Sequence, residues 1–303
     1  MTLYEAQQQL LTRLYQVYDN REAANITDWV MEHLTGWKKI DRIVNKQQLL
    51  PAGQLTQLEQ YTEQLLQQTP VQYVLQEAWF CGMPFYVDKN VLIPRPETEE
   101  LVDWIVQETG NRKSAGGKPK SDAGLQHPDE YSDLRILDIG TGSGCIPVAL
   151  KKKLPRATVY ACDISAGALA VAQKNAVMQQ TDIHFLQVDF LQTTAWQQLP
   201  PVHIIVSNPP YIPDDNKKNM LPNVLEYEPA IALFVPDNDP LVFYKAIADF
   251  GCQKLLPGGR LFVEIHEDLA EQTKTLFLSK GFTTAEIKKD FQGKDRMIKV
   301  MRN

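Results

Sequence analysis

The run Ser207-Asn208-Pro209-Pro210-Tyr211 is poor in hydrogen-bond donors and rich in acceptors. Each proline lacks an N–H but keeps its carbonyl, and its ring fixes φ. Asn208 precedes a proline, which steers its backbone toward an extended conformation. The result is a stiff corner that offers two acceptors, the Asn208 side-chain carbonyl and the Pro209 backbone carbonyl, beside the Tyr211 ring. Two such acceptors suit a planar –NH2 group. The nitrogen of an amide or nucleobase is a poor nucleophile, because its lone pair is delocalised. Holding both of its hydrogens orients it and favours the positive charge it gains on attacking a methyl sulfonium. Positioning alone is worth ~7–11 kcal/mol where the geometry is near attack, and stabilising the growing charge adds an electrostatic contribution. The catalytic candidates are therefore Asn208, Pro209 and Tyr211, with Pro210 completing a substrate-binding corner. No general base is needed, since the nitrogen can lose its proton after transfer.

A second cluster precedes this corner in the chain. The stretch LDIGTGSGCI at 137–146 places Gly140, Gly142 and Gly144 where an apolar run gives way to a helical one. Glycines there allow a tight turn and let a ligand approach the backbone. The dinucleotide fingerprint G-x-G-x-x-G would need its third glycine at 145, where Cys145 stands. Asp163 ends the next apolar run, 23 residues after Gly140. A carboxylate there can accept from both ribose hydroxyls, which signals adenosine more than any one cofactor. Asp138, just before the loop, suits a cationic α-amino group and would repel a pyrophosphate. Asp189 could accept from an adenine amino group, and Phe190 could lie against the ring or in the core. The cofactor-binding candidates are Asp138, Gly140, Thr141, Gly142, Ser143, Gly144, Asp163, Asp189, Phe190 and Asn208.

The elements that must carry these residues alternate. Strand candidates fall at 134–139, 157–162, 183–188, 202–206, 259–265, 283–288 and 296–301, with helices at 145–153, 166–179, 240–255 and 267–280. Alternating strand and helix predicts an α/β fold with a parallel-type sheet covered on both faces. Residues 1–75 read differently. Leu3, Ala6, Leu10 and Leu14, then Ile26, Val30, His33 and Leu34, then Leu55, Leu58, Tyr61 and Leu65 recur at helical spacing, with breaks at Asp19-Asn20 and Pro51-Ala52-Gly53. That predicts a small helical bundle. Residues 76–93 are aromatic and β-branched around Gly82, a hairpin signal. The expected organisation is a helical domain at 1–75, a β-hairpin linker at 76–93 and an α/β domain at 94–303, with 110–132 a flexible insertion rich in Gly, Lys and Ser.

Composition narrows the class. The 303 residues are 44% hydrophobic and 22% charged, an ordinary globular mixture. No apolar run is long enough to span a bilayer, and the N-terminus lacks the plan of a signal peptide, so a cytoplasmic protein with no membrane association is expected. The net charge of −6, from 37 acids against 31 bases, argues against a partner held mainly by phosphate neutralisation, and no nucleic acid is expected. Cys81, Cys145, Cys162 and Cys252 form no C-x-x-C pair, and neither a metal-ligand spacing nor a Ser-His-Asp arrangement emerges.

The chain resembles the release-factor glutamine N5-methyltransferases (HemK/PrmC type) over nearly its whole length. The resemblance rests on the helical N-terminal region, WFCGMPFYVDKNVLIPRPETEELV at 79–102, LDIGTGSGCI, NPPY at 208–211, YEPAIAL at 227–233 and GKDRMIKV near the C-terminus. It implies a Rossmann-like class I methyltransferase fold. It also implies S-adenosyl-L-methionine as methyl donor, and as substrate the side-chain amide of the glutamine in the Gly-Gly-Gln loop of class-1 peptide chain release factors, a modification that supports translation termination. By that match Gly140 to Gly144, Asp163 and Phe190 contact the cofactor, Asn208 touches cofactor and substrate, Pro209 to Tyr211 hold the glutamine, and the helical domain grips the release factor. A monomer is expected. The chain departs from the family pattern at Gln76, at 234–241 and at His266, where glycines are common. NPPY alone would serve an adenine N6 or guanine N2 amine equally well. The 8 acids and 6 bases of residues 1–75 and the absence of a basic stripe count against that reading. A non-catalytic scaffold would have been free to lose Asn208 or the glycines.

Overall fold

The computed structural model describes residues 1–110, 134–220 and 222–302. The chain divides into two compact units, Met1–Glu77 with 221–227, and Ala78–Met220 with Glu228–Asn303. The insertion expected at 110–132 lies outside the described residues from 111 onward.

The first unit is helical: α1 (Leu3–Leu14), α2 (Asn20–Thr35), α3 (Lys39–Val44), α4 (Ala52–Leu66) and α5 (Val71–Leu75). Local chemistry sets the ends. Thr2 and Glu5 form a reciprocal capping box on α1, and the Asp19 carboxylate accepts from the backbone N–H of Arg21 and Glu22 to start α2. Gly36, at φ +69°, ends α2. Leu3, Ala6, Leu10, Leu14, Ile26, Val30, Leu58, Tyr61 and Leu65 form one apolar core. Gln76, the first departure from the family pattern, caps α5 at φ +54°, the left-handed region that favours glycine. The helix Pro222–Tyr227 joins this unit, and the Tyr227 hydroxyl donates to the Gln67 carbonyl at 2.7 Å.

The second unit contains, in order, β1 (Ala78–Phe80), β2 (Met83–Phe85), α6 (Pro96–Gly110), β3 (Arg135–Ile139), α7 (Cys145–Lys153), β4 (Thr158–Asp163), α8 (Ala166–Met178), β5 (His184–Gln187), β6 (Val202–Ser207) and β7 (Ile212–Pro213). After the helix of the first unit, here α9 (Pro222–Tyr227), come β8 (Phe234–Val235), α10 (Val242–Lys254), β9 (Leu255–Glu264), α11 (Ala270–Ser279), β10 (Thr284–Lys289) and β11 (Asp295–Met301). β1 and β2 pair as an antiparallel hairpin. This hairpin, expected as a linker, falls in the second unit because Phe80 and Phe85 share a core with α6 and α7. Residues 91–93 are not a strand; Val91 and Ile93 are buried in an irregular segment.

Seven strands form the main sheet, in the order β10-β11-β9-β6-β3-β4-β5. β9, β6, β3, β4 and β5 run parallel, as the alternating pattern predicts. β11 is antiparallel to both its neighbours, so the sheet is mixed rather than parallel throughout. The cause is the five-residue connection 290–294, too short for a crossover and closed by the Asp290 N–H donating to the Lys294 carbonyl at 2.8 Å, with Gly293 at φ +85°.

The chain leaves β3 for one side of the sheet and returns to the other side with β6, which creates a switch point between these two neighbours. Their pairing sets Ile139 opposite Ser207, and the Ser207 hydroxyl donates to the Ile139 carbonyl at 2.7 Å. The loops that follow, at 140 and 208, therefore start side by side. Asn175 of α8 ties this edge together: its amide nitrogen donates to the Ser143 and Tyr86 carbonyls, both at 2.9 Å, and its oxygen accepts from the Tyr86 N–H at 2.7 Å. Asn175→Ala would orphan three backbone groups and is expected to cost about 3 kcal/mol in urea unfolding; a change below about 0.5 kcal/mol would contradict this clamp.

Candidate functional site

A cavity of about 230 Å³ lies at the carboxyl ends of the parallel strands. Gly140, Thr141, Gly142 and Ser143 wall it at the centre, Asn208, Pro209 and Pro210 on one side of them, and Asp163, Asp189 and Phe190 on the other; residues 90–95 and Thr98 also line it. These come from loops after four successive parallel strands of the fold, plus the segment entering α6. Three expected contacts, Asp138, Gly144 and Tyr211, are not on this wall.

The glycine positions have separate causes. Gly140 (φ +73°) and Gly142 (φ +52°) face open space where a side chain would point, so the loop forms a cradle that a Cβ would fill. At Gly144 (φ +78°) a Cβ would come within 2.9 Å of the Ala172 Cβ. That glycine is required by the packing of α7 on α8. Asp163 is committed twice to backbone, accepting from the Gly142 N–H and the Ser165 N–H, each at 2.9 Å. Each carboxylate oxygen keeps a second lone pair, so the group still offers acceptors to a vicinal diol. Burial raises the Asp163 carboxyl above its ordinary value, and these N–H donors oppose the shift. Asp189 accepts from the Leu191 N–H at 3.2 Å and the Gln192 side-chain amide at 2.8 Å. Phe190 lines the cavity and also packs in the core, against Trp196 and Phe250 at ring separations of 5.6 and 5.3 Å.

Asp138 lies fully buried at the end of β3, and neither oxygen has a hydrogen-bond partner among the described residues. Burial pushes its carboxyl up to about 7, and the nearby Asp163 charge adds to the push. The Thr141 hydroxyl eases the shift, although it lies outside good hydrogen-bond geometry. An orphaned, fully desolvated carboxyl calls for a cation or a donor from outside the chain.

At the corner, the Asn208 side-chain nitrogen donates to the Thr98 hydroxyl oxygen at 3.1 Å. One of its two N–H groups is used there, which fixes the amide with its oxygen on the side opposite Thr98. Pro209, whose carbonyl is the second acceptor expected from the sequence, lies on the same wall. Tyr211 turns away from the cavity, and its hydroxyl donates to Glu264 Oε1 at 3.2 Å. That bond ties the corner to the end of β9. Burial and the neighbouring Glu264 charge raise the Tyr211 hydroxyl, which stays protonated. Glu264 is itself buried and accepts from the Thr98 hydroxyl at 2.6 Å. Burial raises its carboxyl, while Thr98, Arg296 and Tyr211 pull it back toward the charged form. His266, another departure from the family pattern, meets the Tyr211 ring edge-on at 6.0 Å, behind the corner. The cysteines are free, and burial pushes the Cys81 and Cys145 thiols up to about 12, which removes them as nucleophiles at neutral pH.

The role of Thr98 and Glu264 was not drawn from the sequence. One signal was available: an acid inside the apolar strand LFVEI, since a buried carboxylate must find donors. Arg95 and Glu228 are a second such pair, 2.6 Å apart, with Arg95 on the cavity wall.

Residues 5–75 match the family model described as the PrmC N-terminal domain, and residues 121–227 match the methyltransferase small domain. A protein of Flavobacterium psychrophilum named release factor glutamine methyltransferase is 44% identical over 292 residues, covering 96% of each chain. The chain belongs to the release factor glutamine methyltransferase family. The relative of the same name from Bacteroides thetaiotaomicron is 38% identical, over 95% of this chain and 96% of that one. A crystal structure of a protein-(glutamine-N5) methyltransferase (release factor-specific) from Alicyclobacillus acidocaldarius is 27% identical, covers 72% of this chain and 99% of that one, and superposes with a TM-score of 0.41. In this methyltransferase, no helix among the described residues is long and apolar enough to cross a membrane.

Asp138 gives a pH dependence whose sign is fixed. Between the ordinary carboxylate value of ~4 and about 7, the folded chain keeps a proton that the unfolded chain has released. The folded state binds more protons, so stability falls as pH rises through that window. Asp138→Asn removes this loss. Without ligand, the variant is expected to match the wild type near pH 4 and to exceed it at pH 8 by on the order of 4 kcal/mol in denaturant unfolding. Parallel pH profiles for the two proteins would contradict the burial of an unpaired acid.

Proposed function

We propose that this methyltransferase transfers a methyl group from S-adenosyl-L-methionine to the side-chain amide nitrogen of the glutamine in the Gly-Gly-Gln loop of class-1 peptide chain release factors. The observation that carries the reading is the pair of acceptors offered by the corner at 208–210: the Asn208 oxygen, its amide orientation set by the bond to Thr98, and the carbonyl of the neighbouring Pro209. A primary amide carries two hydrogens in one plane, and two acceptors can take both. The nitrogen is then oriented with its weak lone pair toward the donor side of the cavity, and the charge it gains is met by two carbonyl dipoles.

The cavity supports the cofactor assignment through the chain's own groups. The open cradle over Gly140 and Gly142 lets a ligand reach backbone, Asp163 offers acceptors to ribose hydroxyls, and Phe190 with Asp189 suits a purine and its amino group. Asp138, orphaned beneath the loop, attracts the cationic end of the ligand by its charge, without lying on the wall. The cofactor supplies an electrophilic methyl carbon on a sulfonium when bound. In the helical unit, Ile40, Ile43, Val44 and Leu49 stand exposed on α3 and in the loop after it, apolar surface suited to a protein partner.

Incubation with unmethylated release factor and the cofactor is expected to add one methyl to the Gly-Gly-Gln glutamine, read by peptide mass spectrometry. Methyl transfer to DNA or ribosomal RNA and none to release factor would overturn the reading. Asn208→Ala is expected to lower kcat by on the order of 10²-fold with cofactor affinity nearly intact. Asp163→Ala should instead weaken cofactor binding in calorimetry, since it removes charge-assisted acceptors and loosens Gly142. Unchanged kcat in the first variant, or unchanged affinity in the second, would refute the role given to that residue.

A further inference from the structure

A side-chain amide is nearly symmetric in shape, and rotating Asn208 by half a turn exchanges its oxygen for its nitrogen. In the rotated form, donors would face the two hydrogens of the substrate amide and the corner would repel what it is built to hold. Something must break this degeneracy before the substrate arrives.

Three residues far apart in the chain converge to do so. Thr98 stands in the first turn of α6, Glu264 at the end of β9, and Asn208 in the loop after β6. Glu264 is buried and, when ionised, can only accept. Its 2.6 Å separation from the Thr98 oxygen is that of a charge-assisted bond donated by the hydroxyl. A threonine hydroxyl has one hydrogen, and here it is used. What Thr98 turns toward Asn208 is a lone pair, and a group at 3.1 Å from that lone pair must be a donor. The Asn208 nitrogen meets the requirement; its oxygen would set lone pair against lone pair. Tyr211 holds the other oxygen of Glu264, so the carboxylate cannot swing to release Thr98.

We propose that Glu264 and Thr98 are positioning residues that relay hydrogen-bond polarity to Asn208, locking its amide with the oxygen toward the substrate. This rests on the amide-methylation reading above and names what sets its central contact.

The test uses full-length protein, unmethylated release factor and three variants. Thr98→Val keeps the shape and removes the hydroxyl. Its kcat is expected to fall roughly 10- to 100-fold, less than loss of a direct polar partner, with KM for release factor and the cofactor Kd both within about threefold. Thr98→Ser keeps the hydroxyl and should recover most of the turnover. Asn208→Asp keeps an acceptor toward the substrate but loses the donor toward Thr98, and its kcat should fall by on the order of 10-fold or more. This variant decides the matter if Thr98→Val does not fold. Equal turnover of Thr98→Val and wild type, equal losses in Thr98→Ser and Thr98→Val, or full activity of Asn208→Asp would each overturn the relay. Failure of the wild type to methylate release factor would instead overturn the functional reading on which it rests.

Discussion

β3 and β6 pair in parallel with Ile139 opposite Ser207, and the Ser207 hydroxyl locks the two ends together at 2.7 Å. Every functional feature of the second unit depends on that adjacency. The glycine cradle begins one residue beyond Ile139, and the acceptor corner begins one residue beyond Ser207. In a parallel pair both chains leave the sheet at the same edge, so the two loops open onto one cavity. β4 adds Asp163 on the far side of β3, and the turn beyond β5 adds Asp189 and Phe190. Group transfer between two bound ligands needs a donor site and an acceptor site that touch. The strand order supplies that contact before any side chain is chosen.

The site is held by groups that are costly to bury. Glu264 is compensated: two hydroxyls donate to it, and Arg296 favours its charge. Asp138 has no hydrogen-bond partner among the described residues. This difference separates the two sides of the cavity. The corner proposed to meet the substrate amide has its Asn208 side chain tied to Thr98. The cradle side carries an uncompensated acid beneath glycines that leave room for a ligand. Structural acids find donors inside the fold, whereas an acid without one marks where a ligand of opposite charge gains most.

Much of this was legible in the sequence because it follows from local chemistry. The seven sheet strands lie where short apolar runs alternate with helical ones, and α7 spans the residues its pattern gives. The prolines at 209 and 210 and the asparagine before them announce an acceptor corner without reference to the fold. The reversed β11 is written in the short connection 290–294, yet alternation alone reads as a parallel sheet. What sequence could not supply were partnerships across long separations. Gly144 looks like its neighbours in the loop, yet the approach of Ala172 is what leaves it no room for a side chain. Tyr211 sits in the motif but spends its hydroxyl on Glu264. Thr98 and Asn208 meet only once α6 and β6 are placed. Periodicity reports which face of an element is buried, and it carries no record of which two elements will share a hydrogen bond.

The most direct measurement is a crystal structure of the protein with the demethylated cofactor and a glutamine peptide from the release-factor loop. The glutamine side-chain nitrogen should lie about 3 Å from both Asn208 Oδ1 and the Pro209 carbonyl oxygen, with Asn208 Nδ2 still on Thr98. A glutamine amide held away from that pair of oxygens, or facing the Asn208 nitrogen, would contradict the account.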